Sequence, residues 1–300
     1  MRYFTENDVR SMLPMADAID ILRQAFADFA DGKAAHQPRR RLHLETGAVL
    51  HALTGACGRY FGTKVYSTHP KHGAWFTLLL YDADTAKPLA QFEANWLGQI
   101  RTGAISGLAT DILAPHRPVR IGCIGSGFQA QSQVQAIAAV RPIESVHVWS
   151  RHEEKRTAFA SRMRDLLNTE VAAASSATEA ASRADILITA TWAKDPVIED
   201  SDVKDGTLVL AMGSNNPQRR ELPGELVRRA AVIVEDREAC RIEAGDLILA
   251  FVEADWQRTT ELKQLVKNPQ PQGAGVTIFK SVGIGLSDVA VAGWMYEQAG

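Results

Sequence analysis

The chain has 300 residues, 46% of them hydrophobic and 23% charged, with a formal net charge of −2. That length holds one large or two medium domains around a sizeable core. The near-neutral charge offers no electrostatic handle on nucleic acid or an anionic membrane, so neither is expected as a partner.

The first twenty residues, MRYFTENDVRSMLPMADAID, carry acids early and lack the apolar stretch of a signal peptide. No run of about 18 apolar residues follows anywhere, which argues against a membrane span and for a cytoplasmic protein. Residues 15–31 repeat apolar side chains at helical spacing (Ala18, Ile21, Leu22, Ala25, Phe26, Phe29) and stop at Gly32. From 38 to 94 the pattern becomes short β-rich runs: RRLHL, AVLHALTG, YFGTKVYS, WFTLLLYD and LAQFEA. Glycines and polar clusters separate them, as in a mostly antiparallel or mixed sheet. RTGAISGLATDILA (101–114) is a small-residue helix closed by PHRP, and the two prolines mark the best boundary in the chain.

Beyond that boundary strands and helices alternate: VRIGCIG, then FQAQSQVQAIAAV; VHVWS, then EEKRTAFASRMRDLL; then the strands ADILITAT, TLVLAM and AAVIVED. Such alternation predicts a parallel, doubly wound sheet covered on both faces. The tail, VTIFKSVGIGLSDVAVAGWMYEQ, reads as one small-residue helix. Cys57, Cys123 and Cys240 lie far apart without a CxxC pair, which suits small buried thiols in a reducing compartment. His69 and His72 have no partner in an HExxH or Cys/His pattern, so no metal is expected.

The strand VRIGCIG opens into GSGFQAQ, which reads Gly125-x-Gly127-x-x-Ala130, a G-x-G-x-x-G/A dinucleotide loop. Gly125 supplies the tight turn, Gly127 admits a pyrophosphate, and Ala130 permits close contact between helix and strand. A lone Gly-x-Gly turn is weak evidence, but this one follows a strand and opens a helix. The second strand ends at Ser150-Arg151-His152, where an NAD site usually places an acid for the ribose 2′-hydroxyl. An arginine with no carboxylate beside it matches a 2′-phosphate, so NADP(H) is preferred and NAD(H) remains possible.

The first half offers Arg40 in QPRRRLHL, Lys64 inside the strand FGTKVYS, and Arg101 at the head of the helix RTGAISGLA. Any one of them alone fits a solvated side chain. As a set they suit a carboxylate substrate, bound by guanidinium groups, and a lysine able to supply a proton. In YSTHPKHGAWF, His69 and Lys71 fit a solvated turn better than a second acid.

With QPRR, GTKVY, LGQIRTGAISGLAT, CIGSGFQAQ, VHVWSR, ADILITAT, GSNNPQRREL and VTIFKSVGIGLSDVAVA in this order, the chain resembles the ornithine cyclodeaminase/μ-crystallin family over almost its full length. The resemblance implies an α/β protein in two parts. Residues 1–114 with 285–300 would form a smaller α+β domain for substrate and dimerisation, and 115–284 a Rossmann-type doubly wound parallel sheet. It implies that Arg40 and Arg101 bind the substrate carboxylate and that Lys64 contacts substrate and relays a proton. Arg101 and Thr102 would also approach the cofactor. Gly125, Gly127, Phe128 and Gln129 would hold the pyrophosphate, and Ser150, Arg151 and His152 the adenosine ribose. Thr191, Met212, Ser214 and Lys280 would line the nicotinamide. A homodimer acting on a small amino or imino acid is implied.

The resemblance also bears on the reaction. Cyclodeaminases of the family carry an aspartate where this chain has Asn215, and an asparagine cannot take up a proton at working pH. Asn215 therefore counts as a catalytic position whose acid–base role is in question. The favoured reading is an NAD(P)-dependent reductase of cyclic ketimines such as Δ1-pyrroline-2-carboxylate, or an amino-acid dehydrogenase. The alternatives are ornithine cyclodeamination, or a non-catalytic protein that binds NADP and a small ligand.

Overall fold

The computed structural model describes residues 1–300, which divide into two compact units: Met1–Ile105 with Gly283–Gly300, and Ser106–Val282. The first unit begins with β1 (Arg2–Phe4), α1 (Glu6–Met12) and α2 (Met15–Ala30). Five strands follow: β2 (Ala34–His43), β3 (Val49–Cys57), β4 (Tyr60–His69), β5 (Gly73–Asp82) and β6 (Pro88–Glu93). They form one sheet in the order β1-β6-β5-β4-β3-β2, antiparallel except for the β1–β6 pair. Successive side chains of a strand point to opposite faces. Along β4 that alternation buries Tyr60, Gly62, Lys64 and Tyr66 and leaves their neighbours half-buried. The C-terminal helix, Gly285–Gln298, belongs to this unit and is buried from Gly285 through Gly293.

β2 breaks the alternation. Gln37 pairs with Thr54, but the next paired residue, Arg40, meets Ala52, so β2 spends one residue more than β3 between the two pairs. Such a bulge moves every later residue of the strand to the other face. Arg39 is thereby buried and Arg40 exposed.

Helix α3 (Asn95–Leu113) starts earlier than its sequence suggested, and the two units divide inside it, at Ile105/Ser106, rather than at the prolines. Its last turns are tied into the second unit. Arg141 Nη1 pairs with Asp111 Oδ1 at 2.7 Å, and Arg141 Nη2 donates to the carbonyls of Asp111 and Ala114.

The second unit runs β7 (Val119–Ile124), α4 (Phe128–Val140), β8 (Ile143–Trp149), α5 (Glu153–Leu167), β9 (Val171–Ala173), α6 (Ala177–Ser182), β10 (Ile186–Thr189) and β11 (Leu208–Ala211). It continues with α7 (Gly224–Arg229), β12 (Ala231–Val234), α8 (Arg237–Glu243), α9 (Gly245–Ile248), β13 (Thr260–Glu261), α10 (Leu262–Lys267) and β14 (Thr277–Lys280). All eight strands are parallel, in the order β13-β12-β14-β11-β10-β7-β8-β9. This is the doubly wound α/β sheet that the alternation of strands and helices predicts. Residues 277–280, read with the tail as helix, are instead an inner strand. All four are buried on both faces, and Thr277-Ile278-Phe279-Lys280 has no helical periodicity to preserve. The chain winds one way through β8 and β9 and the other way through β10 and β11, so the switch point lies between β7 and β10. Ligands of such sheets bind outside the strands' carboxyl ends at that point. No helix is long and apolar enough to cross a membrane.

Candidate active site

At the switch point Gly125 follows β7 with φ +118°, a backbone state that side chains rarely adopt, and a Cβ there would strike the carbonyl oxygen of Ala190. Gly127 caps α4 without a side-chain bond to the first turn, and the space where its Cβ would stand is open. Uncapped N–H groups at a helix start, beside open space, form the cradle that a pyrophosphate fits. Phe128 and the guanidinium-bearing Arg151 are exposed, and Gln129 and Ser150 half-buried. Ser126 Oγ donates to Ser150 Oγ at 2.8 Å, joining the loop to the end of β8. Arg156 Nη1 donates to the Ser150 carbonyl, and His152 caps α5 without a side-chain bond. No carboxylate stands at residues 150–152.

One buried carboxylate fixes the two loops that leave β10 and β11. Glu221 Oε1 accepts from the backbone N and Oγ1 of Thr191 at 2.6 and 2.7 Å. Its Oε2 accepts from Thr189 Oγ1 at 3.0 Å and from Gly213 N at 2.8 Å. Asp246 stands behind, with Oδ1 accepting from the backbone N of Glu221 and Leu222. The Lys280 ammonium lies 2.8 Å from Asp246 Oδ2 and donates to the Ser214 carbonyl at 2.6 Å. Lys280, expected to line the nicotinamide, is 0% exposed and instead props the Ser214 loop from within. Thr191, Met212 and Asn215 keep partial exposure on these loops, while Ser214 is buried. Burial, reinforced by the charge of Asp246, raises the pKa of Glu221, and Lys280 opposes the rise.

In the first unit the chemistry gathers on the buried face of the sheet. Lys64 of β4 and Arg101 of α3 both reach Oδ1 of Asp288 in the C-terminal helix, Lys64 Nζ at 2.7 Å and Arg101 Nε at 2.8 Å. All three are buried. Gly283 makes room for the guanidinium: its φ is +77°, and a Cβ would lie 2.7 Å from Arg101 Nη1. Arg39 Nη2 donates to the Gly283 carbonyl at 3.2 Å. Burial brings the Lys64 pKa down to about 7, Arg101 and Arg39 push it the same way, and Asp288 holds it up. His51, on the same face, is lowered to about 4 by burial and then by Arg41, Arg39 and His43. Lys64 and Arg101 share the one carboxylate of Asp288 while Arg39 rests on a carbonyl, so positive charge is in surplus on this face.

Arg40, which the resemblance made the first carboxylate-binding arginine, is exposed, and the bulge turns Arg39 to the buried face. Thr102 is half-buried and donates to the Gly98 carbonyl of its own helix. His69 and Lys71 sit at the β4–β5 hairpin tip, where Lys71 N donates to His69 Nδ1. Sequence reasoning missed Asp288, Glu221 and Asp246. The signal for Asp288 was a lone acid in the small, apolar run GLSDVAVAG, and for Glu221 an acid directly after two arginines.

A family model described as ornithine cyclodeaminase/mu-crystallin matches residues 3–300. The chain is 39% identical over 315 aligned positions to a Δ1-pyrroline-2-carboxylate reductase of Bacillus cereus (strain ATCC 10987 / NRS 248), covering 100% of this chain and 97% of that one. It superimposes with a TM-score of 0.95 on the Thermococcus litoralis Δ1-pyrroline-2-carboxylate reductase in complex with NADH and L-proline, at 30% identity, covering 100% and 97% of the two chains. An archaeal alanine dehydrogenase dimer with bound NAD gives a TM-score of 0.93 at 28% identity, covering 100% and 96%.

Proposed function

Because the chain belongs to the ornithine cyclodeaminase/mu-crystallin family, we propose that it reduces a cyclic ketimine, Δ1-pyrroline-2-carboxylate, to the cyclic amino acid with a nicotinamide dinucleotide. The observation that carries this reading is the buried Lys64–Asp288–Arg101 cluster, with a lysine near neutral pKa beside the Arg101 guanidinium. The dinucleotide, cradled by the Gly125–Gln129 loop, would supply a hydride, one proton with two electrons, to the imine carbon. Arg101 and Arg39 would hold the substrate carboxylate. The Lys64 ammonium would deliver a proton to the ring nitrogen, and a pKa of about 7 suits that task at neutral pH. Asp288 would keep Lys64 and Arg101 aligned. Free ornithine fits less well. Its side-chain ammonium would enter a surplus of positive charge, and Asn215 replaces the carboxylate that relatives of that activity carry.

We further propose that NADP(H) is preferred, on the strength of Ser150, the exposed Arg151 and the absence of an acid at the end of β8. A single screen tests both readings. Oxidation of NADPH and NADH is followed with Δ1-pyrroline-2-carboxylate, Δ1-piperideine-2-carboxylate, or pyruvate plus ammonia, and ornithine with NAD⁺ or NADP⁺ is assayed for ammonia. The expected result is fastest turnover on a cyclic ketimine, with KM for NADPH at least about tenfold below that for NADH, the scale of one charge-assisted contact. Ammonia release from ornithine as the dominant activity would refute the substrate reading, and equal KM values the cofactor reading.

A homodimer is proposed through the other face of the first unit's sheet. Leu42 pairs with Leu50, Leu50 with Ser67 and Ser67 with Trp75, which sets one row across four strands opposite the Lys64 face. Leu42, Leu50 and Trp75 are 60%, 47% and 60% exposed, an apolar row of the kind a second copy covers. Sedimentation at micromolar concentration should give a dimer, and Leu50→Glu a monomer. A monomeric parent protein would rule the dimer out.

A further inference from the structure

Glu221, Asp246 and Lys280 are each 0% exposed in the second unit, and ionised together they carry one net negative charge. Isolated buried charge is costly, so a surplus of one sign beneath a ligand-binding edge calls for a reason. The four donors around Glu221 are what a carboxylate satisfies in full, with two lone pairs on each oxygen. Asp246 and Lys280 pair at 2.8 Å. Although burial and Asp246 raise the pKa of Glu221, Lys280 and the hydrogen bonds from Thr191 act to keep it ionised, so the three groups leave one negative charge that no second cation pairs. The Glu221 bonds end on Thr191 and Gly213, at the carboxyl ends of β10 and β11 beside the switch point. The Cys123 thiol beside this edge donates to the Gly125 carbonyl of the dinucleotide loop.

The nicotinamide ring is cationic when oxidised and neutral when reduced. We propose that the Glu221 carboxylate, besides pinning the Thr191 and Gly213 loops, sets the redox preference of the site by stabilising the oxidised, cationic ring over the reduced one. This inference rests on the dinucleotide reading above and adds to it the source of a fixed charge. The same charge would favour reduction of substrate, because Glu221 would set a negative charge in place before the bound ring becomes cationic.

The test is equilibrium binding without substrate, with NADP⁺ and NADPH titrated separately into the protein by calorimetry. The parent protein is expected to bind NADP⁺ at least as tightly as NADPH. In Glu221→Gln the ratio of Kd for NADP⁺ to Kd for NADPH is expected to rise about tenfold, the scale of one unit charge acting through a protein interior. Asp246→Asn, which keeps an oxygen for the two backbone N–H groups, should move the ratio the same way. A parent protein that favours NADPH tenfold would overturn the proposal even if neither variant folds, and so would an unchanged ratio in a folded variant. Binding of neither nucleotide would overturn the dinucleotide reading, and this inference with it.

Discussion

Lys64→Met is expected to lower kcat on a cyclic ketimine by about 10²–10⁴, the usual contribution of a positioned proton donor. KM for the carboxylate should change far less, because Arg39 and Arg101 remain. In the parent protein kcat/KM should hold steady below pH 7 and fall above it, as Lys64 loses its proton around its folded pKa of about 7. The variant should lack that limb. A parent profile that stays flat from pH 6 to 9 would remove Lys64 from the acid role. The same substitution should leave stability unharmed or improved near neutral pH. Folding lowers the Lys64 pKa from the 10.5 of a free lysine to about 7, so between those values the unfolded chain binds more protons than the native one. Stability therefore climbs with pH across that window, and below pH 7 the full cost of holding the buried ammonium is present. Methionine removes both the cost and the climb. Urea unfolding of parent and variant at pH 7 and pH 9.5 reads the difference, and an equal climb in both would contradict it.

Asp288→Ala should do the opposite. The side chain is fully buried and accepts from both Lys64 and Arg101 through one oxygen, so its loss leaves two cations buried without their carboxylate. Removing one partner of a buried ion pair costs about 3–5 kcal/mol, a large fraction of the stability of a typical domain. The urea midpoint should drop accordingly. Asp288→Asn keeps the shape but not the charge and should fall between the two. In that variant, if it folds, the Lys64 limb should move below pH 7, because the one neighbour that holds the ammonium's pKa up has been neutralised. An Asp288→Ala protein that unfolds at the parent's urea concentration would show that the ion pair does not hold this face together.

Much of this was legible because the relevant physics is local. The loop from Gly125 to Ala130 needs a strand before it, a helix after it and small residues between, and all three are consecutive in the chain. The parallel sheet follows from apolar runs separated by helical ones. Lys64 stood out because a cation flanked by apolar strand residues is unusual. What stayed hidden depends on pairing between distant segments. Nothing near Asp288 shows that β4 and α3 will bring it a lysine and an arginine. Glu221 looks like a surface acid until β10 and β11 deliver Thr189, Thr191 and Gly213 to it. Lys280 was placed beside the ligand by the resemblance, and the sequence does not show that Asp246 will hold its ammonium inside the second unit. Arg40 took its place as the first carboxylate-binding arginine from the resemblance, and which arginine of that run turns inward depends on the bulge in β2, which no residue near it announces.

That bulge sits in the run Pro38-Arg39-Arg40-Arg41, where three arginines follow one another. Insertion or loss of one residue in most strands exchanges the whole inward set of side chains for the outward set. Here the exchange would trade one arginine for another, so the face that meets Lys64 would still carry a guanidinium. The strand is thus buffered against a one-residue slip in its own frame, as far as a guanidinium on the Lys64 face is concerned.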